Sequence, residues 1–197
     1  MKHTSQYTLL VALAAGILAL LTASCATGPG GSRAVASNAD ARKIDQKSRS
    51  ALQGLYQTNP RARTLANNAE GVLVFPEIIK GGLVIGGAYG DGALYQGNRA
   101  TGCFRSISAS WGLQAGLQKH GYALFLMDDK AMRALNAADG WEIGSAPNLT
   151  VIDKGMAGSL STTTLQKGTY AVFFNQKGLM AGLGLQGTKI YRLAIEP

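Results

Sequence analysis

The chain has 197 residues, 46% of them hydrophobic, and carries a formal net charge of +8 at pH 7. This length suits one domain with a well-buried core once a leader is removed, and it leaves too few residues for two such domains. Only two histidines, His3 and His120, are present, which excludes a multi-histidine metal centre and a catalytic triad once His3 is lost with the leader.

The first 24 residues have the pattern of an export signal. Met1-Lys2-His3 gives a positive start, Leu9–Leu21 is apolar, and small residues precede Cys25. An apolar run of about 13 residues suits the hydrophobic region of a secretory signal, whereas a membrane-spanning helix needs roughly 20. We therefore predict a signal peptide over residues 1–24 that is removed from the mature protein.

Cys25 is the predicted lipid attachment site. The run Leu21-Thr22-Ala23-Ser24-Cys25 resembles the lipobox of bacterial lipoproteins, in which the thiol is acylated and the chain is cut before the cysteine. Ala26 follows Cys25 where Asp would favour inner-membrane retention, so we expect an outer-membrane lipoprotein facing the periplasm. The alternative is an ordinary cleaved signal with a chance cysteine. With Cys25 acylated, Cys103 has no partner for a disulfide and is expected to be a small buried residue.

A tether and a basic helix follow the anchor. Residues 25–38 are rich in Gly, Ser and other small residues, which predicts a flexible tether. From about residue 40 to 57, apolar residues fall on one helical face and basic residues on the rest. Pro60 ends or restarts the helix, and residues 61–68 are expected to form a further short turn or helix. The domain is placed at 39–197, with Ile44, Leu52 and Leu55 facing it and Lys43, Lys47 and Arg49 in solvent.

Most of the excess charge lies in this membrane-proximal region. Residues 33–63 hold seven basic and two acidic side chains, while residues 66–197 hold eleven and nine. Such a patch attracts anionic lipid headgroups or a nucleic acid backbone, and export disfavours nucleic acid. The alternative is a solvated helix face with no partner.

The rest of the chain has mainly strand patterns. We expect a helix that begins at Asp128 or Asp129 and runs to about Ala138. Because strands outnumber helices and lie close in sequence, the predicted fold class is α+β, a curved, mostly antiparallel sheet or partly closed barrel covered by a few helices. The predicted strands are Gly71–Phe75 ending at Pro76, Leu83–Tyr95 interrupted by glycines, Ile107–Gln118 as one bent strand, Tyr122–Met127, Leu149–Ile152, Thr169–Phe174, Leu179–Leu185 and Ile190–Ile195.

No stretch has the pattern of a catalytic or cofactor site. Gly86–Gly92, read as GGAYGDG, lacks the third glycine and the following helix of a dinucleotide loop, so we predict a turn between two strands. His120 is expected in a turn and Trp111 in the core, the alternative for Trp111 being an aromatic side chain that faces an acyl-chain groove. We therefore predict a protein that is not an enzyme, with no cofactor and no metal.

Three stretches resemble the SYLF domain. AEGVLVFPEIIKGGLVIGGAYGDGAL, from Ala69 to Leu94, resembles the opening of that domain, Trp111 to Asp128 its middle, and Tyr170 to Gly187 its end. The three occur in the family's order, and the resemblance runs from about residue 40 to 193. It implies a lipid-binding module, since eukaryotic SYLF proteins bind phosphoinositides through a basic amphipathic N-terminal segment, and some fungal relatives bind actin.

Carried over by position, the resemblance implies a set of headgroup-binding residues. An exported bacterial protein would not meet actin, and bacteria generally lack phosphoinositides as membrane signals, so the expected ligands are anionic phospholipids such as phosphatidylglycerol or cardiolipin. We expect a non-enzymatic, lipid-anchored envelope protein that binds anionic membrane lipids; the alternative is a periplasmic scaffold that binds a protein partner or itself. The implied headgroup-binding residues are Arg42, Lys43, Lys47, Arg49, Arg61, Arg63 and Lys80.

Overall fold

The structure is a computed structural model, and it describes residues 35–82, 85–111, 116–143, 148–152, 168–177, 185 and 187–196. The predicted signal peptide, Cys25 and most of the predicted tether lie outside these residues. The elements are β1 (Val35–Ser37), α1 (Asn38–Thr58), α2 (Pro60–Asn68), β2 (Gly71–Gly82), β3 (Ile85–Gln96), β4 (Arg99–Trp111), β5 (Gly116–Leu126), α3 (Asp129–Leu135), β6 (Trp141–Glu142), β7 (Leu149–Ile152), β8 (Thr169–Lys177), β9 (Thr188–Arg192) and β10 (Ala194–Glu196).

Eight strands form one curled sheet in the order β6-β9-β4-β3-β2-β5-β8-β7. All neighbours pair antiparallel except β7 and β8, and β1 pairs parallel with β10 in a separate two-stranded sheet. The short helix α3 contacts both β5 and β9. These strands are four spacings apart, about 19 Å in a flat sheet, and α3 is about 10 Å long, so the sheet must curl around it. The predicted α+β fold with a curved, mostly antiparallel sheet is confirmed.

The two faces of this half-barrel carry separate apolar cores. On the concave face, α3 packs on large side chains that include Phe75, Phe104 and Tyr122, each at most 1% exposed. On the convex face, α1 and α2 pack on a second cluster that includes Val74 and Phe125. The half of the sheet near Gly71–Phe75 is therefore covered on both sides.

The sequence explains where the two N-terminal helices begin and how α1 docks. Ser37 caps α1 by accepting a hydrogen bond from the Asp40 backbone N–H, and Asn59 caps α2, with Pro60 in its first turn. Ser48 of α1 is fully buried on the side of the helix that faces the sheet, and its hydroxyl donates to the Val74 carbonyl of β2 at 3.2 Å. The predicted helices are present, while residues 35–37, predicted as the end of the tether, form β1.

Pro76 does not end its strand, and this prediction is wrong. Strand β2 continues to Gly82, and its register shifts by one residue, between Val74 and Ile79 against β3 and between Phe75 and Ile78 against β5. A β-bulge tolerates a residue without an N–H group, so Pro76 fits within the strand at this position. The bulge also turns Ile78 to the concave face and Ile79 to the convex face.

The glycine run is not a turn, which corrects the second expectation for this region. Gly86–Gly92 lies inside β3, and the turn that follows is at Gly97, where φ is +58°. None of the described glycines in the run has positive φ. A Cβ on Gly92 would lie 2.2 Å from the Val74 carbonyl oxygen, so glycine is required by the close approach of β2 and β3.

The predicted single strand from Ile107 to Gln118 is also wrong. Strand β4 ends at Trp111 and β5 begins at Gly116, and two other strands lie between them in the sheet. Both strands alternate with a period of two, and the alternation continues in phase across the break, so periodicity alone could not locate it. The predicted bend is at Gly112 or Gly116: Gly112 lies outside the described residues, and Gly116 begins β5. The core position of the Trp111 side chain also lies outside the described part.

The elements after β5 agree with the predicted ones except at some of their ends. Asp128 caps α3, which ends at Leu135, short of the predicted Ala138. The last predicted strand divides at Leu193 into β9 and β10, because β10 leaves the large sheet to pair with β1. The predicted strand over 179–185 falls on residues outside the described part, except for residue 185.

Candidate functional site

The outward side of α1 carries exposed cations. Leu55 is 3% exposed, and Ile44 and Leu52 pack on the convex core as predicted. Lys43 and Lys47 lie one turn apart on the outer surface, about 40° apart around the axis. We call Arg42, Lys43 and Lys47 the helix cation surface. It sits on a docked helix, so its position is set by core packing on the opposite side.

The helix cation surface is largely free of ion pairs. Among the described residues, ion pairs involve Arg49, Arg105 and Lys119, and none involves Lys43 or Lys47. The Arg42 guanidinium donates from Nε to the Asn38 carbonyl at 3.4 Å. Asp40, three residues before Lys43, interacts electrostatically with its ammonium group, and both lysines remain exposed to a partner in solution.

Arg49 has a structural role that the sequence did not show. Its guanidinium pairs with Asp45 at 3.2 Å, one turn earlier, and lies 5.2 Å from the centre of the Tyr95 ring. Tyr95 in turn donates its hydroxyl to the Asp45 carboxylate at 2.7 Å. Burial and this hydrogen bond raise the pKa of Tyr95. The prediction that Arg49 is an open solvent cation is therefore incomplete, because Arg49 helps to hold α1 on β3.

The remaining predicted cations lie in two different places. Arg61 and Arg63 are on α2, where Arg63 lies 5.4 Å from the centre of the Tyr56 ring and so links the two helices. Lys80 is on β2 with the same orientation as Ile78, which packs in the concave core. The structure therefore brings the α1 and α2 cations to the convex side and places Lys80 on the opposite face of the sheet.

His120 is buried in β5 and not in a turn, which corrects that prediction. It is 8% exposed, on the concave face, with its ring centre 5.7 Å from that of Phe173. Burial lowers the pKa of the imidazole, and the nearby Lys80 charge lowers it further. Its Nδ1 atom has no hydrogen-bond partner among the described residues. The neighbouring Tyr122 hydroxyl donates to Ser106 at 2.8 Å.

The described residues contain no group of three or more His, Cys, Asp or Glu side chains that could hold a metal ion. Cys103 is 8% exposed and packs with Ala36 and Leu193, as expected for a small buried residue. Burial raises the pKa of its thiol. In the part of the chain that the structure describes, no helix has the length and apolar character needed to span a bilayer.

The structure also exposes apolar side chains that the sequence analysis did not single out. Ile79, Tyr89 and Ile107 are 41–45% exposed on the convex face, beyond the area covered by α1 and α2. The alternation of apolar and polar residues in β4 predicts that its apolar side chains are buried. In the structure, however, Ile107 is exposed and Ser106 is buried. Only the register between strands, which sequence patterns do not give, places these residues side by side.

Comparison with known proteins identifies the second half of the domain. Residues 107–193 match the family model Ysc84, described as Las17-binding protein actin regulator, which is the SYLF domain. This confirms the resemblance for the stretches Trp111 to Asp128 and Tyr170 to Gly187, while Ala69 to Leu94 lies outside the match. The family is lipid-binding and actin-regulatory, and its domain is a binding domain. No curated protein matches the chain at a significant level.

Proposed function

We propose, from the premise that residues 107–193 carry an SYLF domain, that this protein is a non-enzymatic envelope protein that binds anionic membrane lipid through its N-terminal helices. In this proposal Cys25 is acylated after removal of residues 1–24 and anchors the chain in the outer membrane, facing the periplasm. The observation that supports lipid binding most directly is the helix cation surface, whose two lysines point away from the domain and form no ion pair among the described residues.

Physical chemistry favours an anionic bilayer as the partner of this surface. Each Lys or Arg near an anionic surface contributes about 1 kcal/mol, and the attraction falls off within a Debye length. Arg61 and Arg63 lie on the neighbouring helix, so the cations of two helices are available on the same side of the sheet. Phosphatidylglycerol and cardiolipin supply the anionic headgroups. The acyl anchor supplies attachment, and the cations orient the domain on the surface.

Replacing Lys43 and Lys47 with glutamine should weaken binding to anionic vesicles by about 2 kcal/mol, roughly 30-fold, because each lysine contributes about 1 kcal/mol. Both side chains are exposed, so the free energy of unfolding should change by less than about 0.5 kcal/mol. The measurement is co-sedimentation with vesicles containing phosphatidylglycerol, using the full chain with Cys25→Ser in both cases, so that acylation contributes nothing to the comparison.

The matched control is Lys130→Gln with Arg133→Gln. These two exposed cations lie on α3, on the concave side, and their removal lowers the net charge by the same amount. The proposal expects the control to bind like the parent. Equal losses in both variants would mean that net charge alone drives binding. Unchanged binding after Lys43 and Lys47 are neutralised, together with one dominant protein crosslink from α1, would favour the scaffold function instead.

A further inference from the structure

Three exposed apolar side chains form one row across the convex face. Tyr89 on β3 pairs in register with Ile79 on β2 and with Ile107 on β4, so the three lie side by side. We call them the apolar row. Among the described residues, the other large exposed hydrophobic side chains are Val35 and Ile195, on the small β1–β10 sheet. Among the side chains of the large sheet that the structure describes, the large exposed apolar ones therefore form a single strip.

Lysines follow the apolar row on both sides, and on the β9 side Glu142 of β6 pairs in register with Lys189 and ends the row. Ile107 pairs in register with Lys189 on β9, and Ile79 pairs with Lys119 on β5, which pairs with Lys177 on β8. The row from Lys189 to Lys177 thus crosses six strands, about 24 Å at the usual strand spacing. An apolar centre of about 10 Å is flanked by ammonium groups on flexible stems.

The curvature of the sheet determines how far each side chain of the row projects from its outer surface. The row is on the side opposite α3, so it lies on the outside of the curl. On a convex surface the middle of a row stands highest and its ends fall away. Ile79, Tyr89 and Ile107 are therefore at the crest, while the lysines at the ends are set back from it.

Tyr89 is held in place at the crest. Its hydroxyl donates to Asp91 at 3.0 Å, and the Arg105 guanidinium lies 4.8 Å from the centre of its ring. Arg105 also forms a two-point ion pair with Asp91, at 2.8 Å and 3.0 Å. A fixed, exposed tyrosine between two isoleucines loses little conformational entropy when a partner covers it.

We propose that the apolar row enters the boundary between headgroups and acyl chains of an anionic bilayer, with Lys119, Lys177 and Lys189 reaching the lipid phosphates. Tyrosine and long-stemmed lysine suit this boundary, since each combines an apolar body with a polar tip. Glu77 pairs with Lys119 at 3.3 Å and offsets part of its charge. The lysines thus add electrostatic attraction for lipid phosphates to the apolar contact that Ile79, Tyr89 and Ile107 make.

A bilayer fits this strip better than a second copy of the chain does. A stable protein interface buries about 800 Å² on each partner, and three partly exposed side chains in a strip about 10 Å long supply much less. A fluid lipid surface, in contrast, adapts to a narrow convex crest. The choice of anionic lipid as the ligand rests on the proposed function. The apolar row adds a second membrane contact that does not involve α1.

The test replaces Ile79 and Ile107 together with threonine, which removes apolar surface and keeps a β-branched side chain suited to a strand. The matched control is Val35→Thr with Ile195→Thr, two side chains of similar exposure on the other sheet. All variants are full chains carrying Cys25→Ser. With phosphatidylglycerol vesicles, the Ile79/Ile107 variant should bind about tenfold more weakly than the parent, and the control should bind like the parent.

A second measurement reads the depth of the row directly. Ile107→Cys, labelled with a polarity-sensitive fluorophore in the Cys25→Ser chain, should shift to shorter wavelength when phosphatidylglycerol vesicles are added. The raised pKa and burial of Cys103 disfavour its labelling. The same label at Val35→Cys should shift little. This readout does not depend on how stable the threonine variant is.

The outcomes separate this inference from the proposed function. If the parent binds anionic vesicles, the threonine variant binds equally well and the label at position 107 does not shift, the row is not a membrane contact, while binding through α1 stands. If the parent fails to bind anionic vesicles, both ideas fall. If the parent self-associates in solution and the threonine variant does not, a second copy covers the row and the inference is overturned.

Discussion

Phe75→Ala should lower the free energy of unfolding by about 3–5 kcal/mol, the usual range for a fully buried phenylalanine. Phe75 is 0% exposed on the concave face, and its ring centre lies 4.8 Å from that of Tyr122. Truncation removes this contact and leaves a cavity that the surrounding aromatic side chains cannot fill. Chemical denaturation monitored by circular dichroism measures the change.

Ile79→Ala is the control for this measurement. Ile79 lies four residues further along β2, is 41% exposed, and should cost about 1 kcal/mol or less. A loss at Phe75 as small as the loss at Ile79 would contradict a packed concave core. It would indicate that the inside of the curl is open, and the concave face would then become a candidate for holding an acyl chain.

Gly92→Ala should destabilise the domain by about 2–3 kcal/mol, as expected when a core is overpacked. The new Cβ would lie 2.2 Å from the Val74 carbonyl oxygen and 2.7 Å from Cδ1 of Phe75. The first of these atoms belongs to the backbone, so relief requires strands β2 and β3 to move apart. Equilibrium unfolding in urea measures the effect.

Gly87→Ala is the matched control in the same glycine run. Its Cβ would come no nearer than 3.7 Å to a neighbouring atom, the Ser108 carbonyl oxygen, which is ordinary contact. Because φ is not positive there, alanine should be neutral within about 0.5 kcal/mol or slightly stabilising through the unfolded state. Equal stability of the Gly92 and Gly87 variants would show that the run is a loop, as the sequence alone suggested.

The helices could be predicted because local rules govern them. The apolar spacing places Leu55 inward, and Pro60 separates α1 from α2. These features depend on residues within two turns of each other. The exposure of Lys43 follows from the same spacing, so the helix cation surface could be located without the structure.

The errors came from features set by distant strands. Pro76 and the glycines of β3 resemble turn residues. Pro76 instead lies at a β-bulge within β2, and the close approach of β2 to β3 requires glycine at position 92. The ion pair between Arg49 and Asp45 has the i, i+4 spacing of helix neighbours and could have been predicted. The contact of Arg49 with Tyr95 on β3 could not, because Tyr95 is far along the chain. The apolar row depends on three strands in register, which no periodic signal within one segment reveals.

The family match and the proposed lipid contacts cover different parts of the chain. The match begins at residue 107, within β4 and after α1, α2, β2 and β3. The helix cation surface is therefore proposed from its geometry and charge. Of the apolar row, only Ile107 lies within the matched residues.

The affinity of the full Cys25→Ser chain for vesicles of increasing phosphatidylglycerol content tests the account most directly. The Lys43→Gln/Lys47→Gln chain carries the same predicted signal peptide, including Lys2, so the difference between its series and that of the parent reports on the helix cation surface. We expect binding to strengthen with the anionic fraction and to weaken as salt is added, because screening shortens the reach of each charge. Equal affinity for neutral and anionic vesicles at low salt would contradict the proposed recognition of anionic lipid.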